Sequence, residues 1–211
     1  MSLSRYADSE IIEGIPGGGK TIIASLVIDH LSTIFSNDKS TIVLYLYCFY
    51  KDRSQQTLTS VTAVLLKQLI QALNDVPEPM KDLYESCMRD GSRPKQGDLS
   101  NMLRVELRRL GKVFLVVDAL DEYSDSEAAQ KLLLDELQSL REMTNLMVTS
   151  RPVSPFIDAF DEAMHITVTA DNADVRRYLS SQMSSLSRCV RNEPDLQERI
   201  VQTITGAVQG M

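Results

Sequence analysis

Apolar positions along the chain alternate between two spacings, and the alternation predicts strands separated by helices. Thr41 to Phe49 (TIVLYLYCF), Val113 to Val117 (VFLVV) and Asn145 to Ser150 (NLMVTS) are short runs of β-branched, aromatic and aliphatic residues. Runs of that length and type read as buried strands. Two shorter runs, residues 10–13 and His165 to Thr169, read as further strands. Between them the apolar residues recur every three to four positions, the period of one helix face. This spacing predicts helices over 20–35, 57–74, 98–110, 126–141, 171–185 and 193–208. In the second of these Leu58, Val61, Val64, Leu65, Leu69 and Leu73 form the predicted buried stripe. Pro77, Pro79 and Pro94 mark 75–97 as loop with a short helix near 80–89, and Pro152 and Pro155 mark a turn. Strands separated by helices imply an α/β fold, a mostly parallel sheet with helices on both faces.

One segment changes this from a fold class to a chemistry. Gly14-Ile15-Pro16-Gly17-Gly18-Gly19-Lys20-Thr21 fits G-x-x-x-x-G-K-[ST], and a helical pattern starts where that pattern requires one. Glycines let backbone fold tightly around an anion. The loop N–H groups and the start of the next helix then cradle phosphates. Lys20 reaches the β- and γ-phosphates in this reading, and the Thr21 hydroxyl ligates Mg²⁺. The apolar run at Val113 leads into Asp118, Ala119, Leu120, Asp121 and Glu122. A carboxylate at the end of such a strand serves a phosphate-bound Mg²⁺, and a second one orients the attacking water. Asp118 takes the first role. Asp121 and Glu122 both remain candidates for the second, and both also sit where carboxylates favour a helix start. Arg151 follows the third strand, where a guanidinium could read a γ-phosphate. Lys51-Asp52-Arg53 reads as a solvated loop.

Composition narrows the partners. The chain has 211 residues, 43% of them apolar and 24% charged, with a net charge of −7. That balance argues against nucleic acid and anionic membranes as partners. Cys48, Cys87 and Cys189 are widely spaced and form no metal or disulfide pattern, which fits a reducing compartment. Cys48 reads as buried and inert, and the two histidines, His30 and His165, as core or boundary residues. No run of 18 apolar residues and no signal peptide is present, so the cytoplasm is the expected location.

In order, GIPGGGKT, VFLVVDALDE and NLMVTSRP resemble the NACHT-type nucleotide-binding domain of signalling NTPases, the STAND class. The fungal NACHT proteins with a nephrocystin-like N-terminal part are the closest in look. Ala119 after Asp118, and the acidic pair Asp121-Glu122, carry most of this resemblance. YCFYKDRSQQT (47–57), LLKQL (65–69) and DVRRYL (174–179) extend it over roughly residues 11–210. The resemblance implies a three-layer P-loop NTPase fold with a five-stranded sheet of order 5-1-4-3-2. It implies ATP rather than GTP as ligand, and a conformational switch with weak ATPase activity. The implied partners are self-association or other domains of a longer signalling protein. The expected organisation is a lead-in (1–9), a nucleotide-binding core (10–170) and a helical extension (171–211) cut short before the family's further helices. A fragment of this kind is expected to bind nucleotide weakly and hydrolyse it slowly or not at all. Two alternatives stay open: a scaffold that kept the fold without turnover, and a P-loop ATPase acting on nucleic acid.

Overall fold

The computed structural model describes residues 9–152, 154–169 and 172–209. The expected lead-in therefore lies outside the described residues except for Ser9. So do Asp171, the expected start of the helix over 171–185, and the last two residues of the chain. Five strands and nine helices are described: β1 (Ser9–Gly14), α1 (Lys20–Ile34), β2 (Thr41–Tyr47), α2 (Leu58–Leu73), α3 (Glu78–Asp90), α4 (Gln96–Arg109), β3 (Lys112–Asp118), α5 (Glu127–Arg141), β4 (Asn145–Ser150), α6 (Ser154–Ala159), β5 (Met164–Val168), α7 (Asn172–Gln182), α8 (Arg188–Arg191) and α9 (Pro194–Gln209). Short 3-10 turns follow β2 at Tyr50–Asp52 and β3 at Leu120–Glu122.

The sheet order is β2-β3-β4-β1-β5. It is the expected order 5-1-4-3-2 read from the other edge. The β2–β3, β3–β4 and β1–β4 pairs are parallel. Parallel strands covered on both faces carry near-continuous apolar runs, which is why β3 and β4 stand out in the sequence. The buried run is Val113, Leu115, Val116 and Val117 in β3, with Leu146, Met147 and Val148 in β4. Strand β1 is longer than its two glutamates suggest. It pairs with β4 from Ser9 to Glu13, and Ile11 and Ile12 are buried.

Helices α2, α4 and α5 close one face. Leu69, Leu103, Leu107, Leu133, Leu137 and Leu140 join Leu44, Leu115 and Leu146 in one core. Each such leucine is worth about 1.5–3 kcal/mol relative to exposure. Helix α2 begins at a reciprocal cap: Thr57 Oγ1 accepts the Ser60 N–H at 3.1 Å, and Ser60 Oγ accepts the Thr57 N–H at 2.9 Å. Its stripe departs from the expected one in one respect. Val64 is 43% exposed, and Leu66 is buried in its stead. Arg104 of α4 ties α5 down through Glu136 at 2.7 Å and Ser139. Helix α1 packs against β1, β2, β3 and β4. Only Ala24 of α1 is buried, and Ile22 and Leu26 are exposed.

Strand β2 is an edge strand; Gln68 covers its outer side, and Gln56 covers the chain just beyond its end. Gln68 accepts the Tyr45 N–H at 2.9 Å and donates to the Tyr45 carbonyl at 2.8 Å. Gln56 does the same for Phe49, at 3.2 and 2.6 Å.

Two expectations are corrected. The turn at Pro152 and Pro155 includes the six-residue helix α6, because a proline in the first helical turn removes no intrahelical hydrogen bond. His30 and His165 are exposed, not core or boundary residues, since His30 lies on the outer side of α1 and His165 on β5.

The chain groups into two compact units. The first holds the residues up to Gly14 and Gly19–Thr167; the second holds Ile15–Gly18 and the chain from Val168 onward. In the second unit α7 and α8 pack on α9, with an Arg176–Glu198 ion pair at 3.7 Å. Among the described residues no helix is long and apolar enough to cross a membrane.

Candidate functional site

The sheet register brings three strand ends together at one edge of the sheet, with β1 and β4 running slightly beyond β3. Glu13 pairs with Ser150, and Val117 pairs with Val148. The carboxyl ends of β1 and β3 therefore finish on either side of the β4 tip. Gly14 and Asp118 are the last residues of β1 and β3.

Past Gly14 the chain turns into α1. Gly19, the residue before α1, has φ +93°, a left-handed conformation that glycine adopts without strain. No side chain caps this helix start. Its first N–H groups carry the positive end of the helix dipole. Lys20 Nζ donates to the Gly14 carbonyl at 2.7 Å, and Thr21 is exposed. Within the second unit, the Gly18 N–H donates to the Ile15 carbonyl at 3.1 Å, and Gly17 between them has φ +79°. A Cβ at Gly17 or Gly19 would meet no described atom within 4 Å, whereas one at Gly18 would come within 3.1 Å of the Ile15 carbonyl oxygen.

Around Asp118 the acidic turn is tightly held. Asp118 is 3% exposed, and its Oδ1 accepts the Thr149 hydroxyl at 2.6 Å. Thr149 Oγ1 in turn accepts the Ala119 N–H at 2.8 Å. Ala119 is left-handed, with φ 55° and ψ 49°. Two residues on, Asp121 is engaged by Arg151 twice: Oδ1 accepts the Arg151 N–H at 2.9 Å, and Oδ2 accepts Nε at 2.5 Å. The Asp121 hydrogen bond, then its charge, pushes the Arg151 guanidinium above its ordinary, already high value. Glu122 Oε2 accepts the Tyr50 N–H at 3.1 Å. Cys48 is buried beside this turn, its N–H donating to the Asp118 carbonyl at 2.9 Å. Burial, and then the charges of Asp118, Asp121 and Glu122, push its thiol up to about 12. The shift favours the protonated thiol.

The predicted residues thus fall into two groups within the first unit. Gly14, Gly19, Lys20 and Thr21 surround the start of α1. Asp118, Asp121, Glu122 and Arg151 follow the ends of β3 and β4; Asp121 and Arg151 bond to each other, Asp118 to Thr149, and Glu122 to the Tyr50 N–H. Ile15, Pro16, Gly17 and Gly18 belong to the second unit. Three participants escape the sequence reading. Thr149 is a polar residue in an apolar strand, and that is its only signal. Tyr50 acts through its backbone, which no side chain announces. Lys51 and Asp52 are exposed, as their charge run suggests, but Arg53 is half-buried. Its Nε donates to the Glu122 carbonyl at 3.2 Å, and its Nη1 donates to Asp125. Among the described residues no three metal-ligating side chains cluster. A hydroxyl and a carboxylate are oxygen donors of the kind Mg²⁺ takes; Thr21 is exposed at the start of α1, and Asp118 is buried at the end of β3.

A parallel sheet of this order, with a glycine-rich loop between β1 and α1, is the P-loop NTPase fold. The sequence narrows the class further: residues 4–151 match the nephrocystin 3, N-terminal family, and the chain belongs to it. No protein of curated function matches the chain. Among solved structures, ORC1 of Aeropyrum pernix in complex with DNA aligns at a TM-score of 0.53 and 19% identity, over 84% of this chain and 44% of that one. Drosophila ORC bound to DNA aligns at 0.49 and 14% identity, over 95% and 49%. AMPPCP-bound DnaA from Aquifex aeolicus aligns at 0.46 and 12%, over 94% and 51%. The chain spans about half the length of these structures or less.

The first of these likenesses corrects one expectation. Net charge argues against nucleic acid, yet the fold found here also occurs in a protein solved in complex with DNA. Net charge sums the whole surface, whereas contact with DNA uses a local patch or another part of a longer chain. The acidic balance therefore does not exclude that partner.

Proposed function

We propose that this chain is a Mg²⁺-dependent ATP-binding module, a signalling switch of the NACHT type with slow hydrolysis. One observation supports the reading: within the first unit, β1 and β3 flank β4, so that Gly14 at the end of β1 and the buried Asp118 at the end of β3 lie on either side of the β4 tip. The loop of Gly14, Ile15, Pro16, Gly17, Gly18, Gly19, Lys20 and Thr21 cradles the phosphates. Lys20 exchanges the Gly14 carbonyl for phosphate oxygens. Thr21 and Asp118 hold Mg²⁺, which neutralises phosphate charge when bound. Glu122 orients the attacking water, and Arg151 offers its outer guanidinium nitrogens to the γ-phosphate. Asp121 serves as partner of Arg151, since both its oxygens are engaged there. The preference for ATP over GTP, the signalling role and the fungal NACHT assignment rest on the sequence resemblance.

Titration of a fluorescent ATP analogue with Mg²⁺ against the chain and its Lys20→Ala variant tests the binding. A charge-assisted hydrogen bond to phosphate is worth about 1.5–3 kcal/mol, so affinity should fall roughly tenfold to a hundredfold. Equal affinities sink the assignment. A second reading, a scaffold that binds nucleotide without turnover, is favoured by the engagement of Asp121 with Arg151 and of Glu122 with the Tyr50 N–H. Phosphate release from the chain and from Glu122→Gln separates the two. A rate at background in both favours the scaffold.

A further inference from the structure

We propose that Thr149 is a positioning residue that fixes the Asp118 carboxylate for its metal. The inference rests on the reading that Asp118 holds Mg²⁺.

Thr149 is fully buried, and its hydroxyl stands between two groups of the β3 end. A hydroxyl has one proton to give and lone pairs to accept with. The Ala119 N–H can only donate, so the bond at 2.8 Å uses a lone pair of Oγ1. The single proton is therefore directed to Asp118 Oδ1, at 2.6 Å. This order fixes the direction of both bonds without reference to a ligand. It holds one carboxylate oxygen in place, and the other, Oδ2, would then serve the cation.

The same hydroxyl supports the turn beyond. A left-handed alanine costs about 1–2 kcal/mol. The Ala119 N–H bond to Thr149 helps hold that conformation, and the conformation carries the chain into the 3-10 turn of Asp121 and Glu122. Two positions beyond Thr149, Arg151 grips Asp121 by its N–H and its Nε. The tip of β4 thus bonds to Asp118 and Asp121 from residues 149 and 151. It sets the geometry of the acidic turn, although residue 149 carries no charge and need touch no ligand.

The test measures the affinity of a fluorescent ATP analogue in Mg²⁺ and in EDTA, for the chain and for Thr149→Val, Thr149→Ser and Asp118→Ala. Valine keeps the shape of threonine and removes both hydrogen bonds. The Mg²⁺ enhancement in Thr149→Val should fall by roughly tenfold, the worth of one hydrogen bond to a charged group. Affinity in EDTA should stay as in the unaltered chain, and serine should restore the enhancement. A threonine with a purely structural role would lower both affinities or the thermal midpoint without changing their ratio. An undiminished enhancement in Thr149→Val overturns the proposal. Should valine prevent folding, Thr149→Ala supplies the same comparison. The Asp118→Ala arm separates the two levels. If its enhancement persists, or the unaltered chain shows none, the reading of Asp118 fails and the Thr149 role falls with it.

Discussion

Replacing Arg151 by alanine should destabilise the ligand-free chain by about 1–2 kcal/mol, through Asp121. The Asp121 side chain is 5% exposed and that of Arg151 45%. The variant keeps the backbone bond from residue 151 to Asp121 Oδ1, so only the Nε bond at 2.5 Å and its charge are lost. A hydrogen bond between charged groups is worth about 1.5–3 kcal/mol, and the half-exposed guanidinium reduces that figure by screening. For a chain of this length the thermal midpoint should drop by about 2–8 °C. Far-UV circular dichroism is the suitable probe, because the chain has no tryptophan. The same measurement on Asp121→Asn and on the double variant completes a cycle. Bonded partners should give a coupling energy of about 1 kcal/mol or more. Strict additivity of the two single changes would refute the claim that Arg151 is the side-chain partner of Asp121.

Cys48 should impose an alkaline limit on stability. Its folded thiol lies near 12, above the ordinary value of 9.0, so folded and unfolded chains bind the same proton below pH 9. Above it the unfolded thiol ionises first, and stability is lost at up to about 1.4 kcal/mol per pH unit as the pH rises toward the folded value. Unfolding midpoints of the chain and of Cys48→Ala between pH 8 and about 10.5 should converge as pH rises; parallel curves would contradict the shift. Gly19→Ala should cost about 1 kcal/mol through φ +93° alone, because its Cβ would meet no atom within 4 Å. Urea unfolding measures it, and an unchanged midpoint would show that the turn relaxes to accept a side chain.

How much of this can be read in the sequence depends on distance along the chain. Strand β3 is legible because both faces are buried and its apolar run is unbroken. Strand β1 looks shorter because Glu10 and Glu13 interrupt its apolar residues, although both isoleucines between them are buried. Asp118 is visible as the residue that ends an apolar strand. Its partner Thr149 is not, because 31 residues separate them. Arg53 lies 72 residues from Asp125, so its charge run looks like any solvated loop. Local pattern reports period and propensity, whereas these contacts follow from strand order. That order enters the sequence reading only through the family resemblance. The same holds for the partners of Asp121 and Glu122: adjacent carboxylates look alike in sequence, and the structure gives one to Arg151 and the other to the Tyr50 N–H.

The glutamine amides on the outer side of β2 and just beyond its end have a consequence for self-association. An uncovered edge offers a row of peptide groups on which another chain can template a strand. Gln68 and Gln56 answer Tyr45 and Phe49 as the peptide groups of a sixth strand would. They do so without charge and without lengthening the sheet. Cutting both back to alanine would turn a finished border into a growing one, and oligomers joined edge to edge should then form as concentration rises. At Tyr45 the amide of Gln68 occupies the place that the peptide group of a further strand would take.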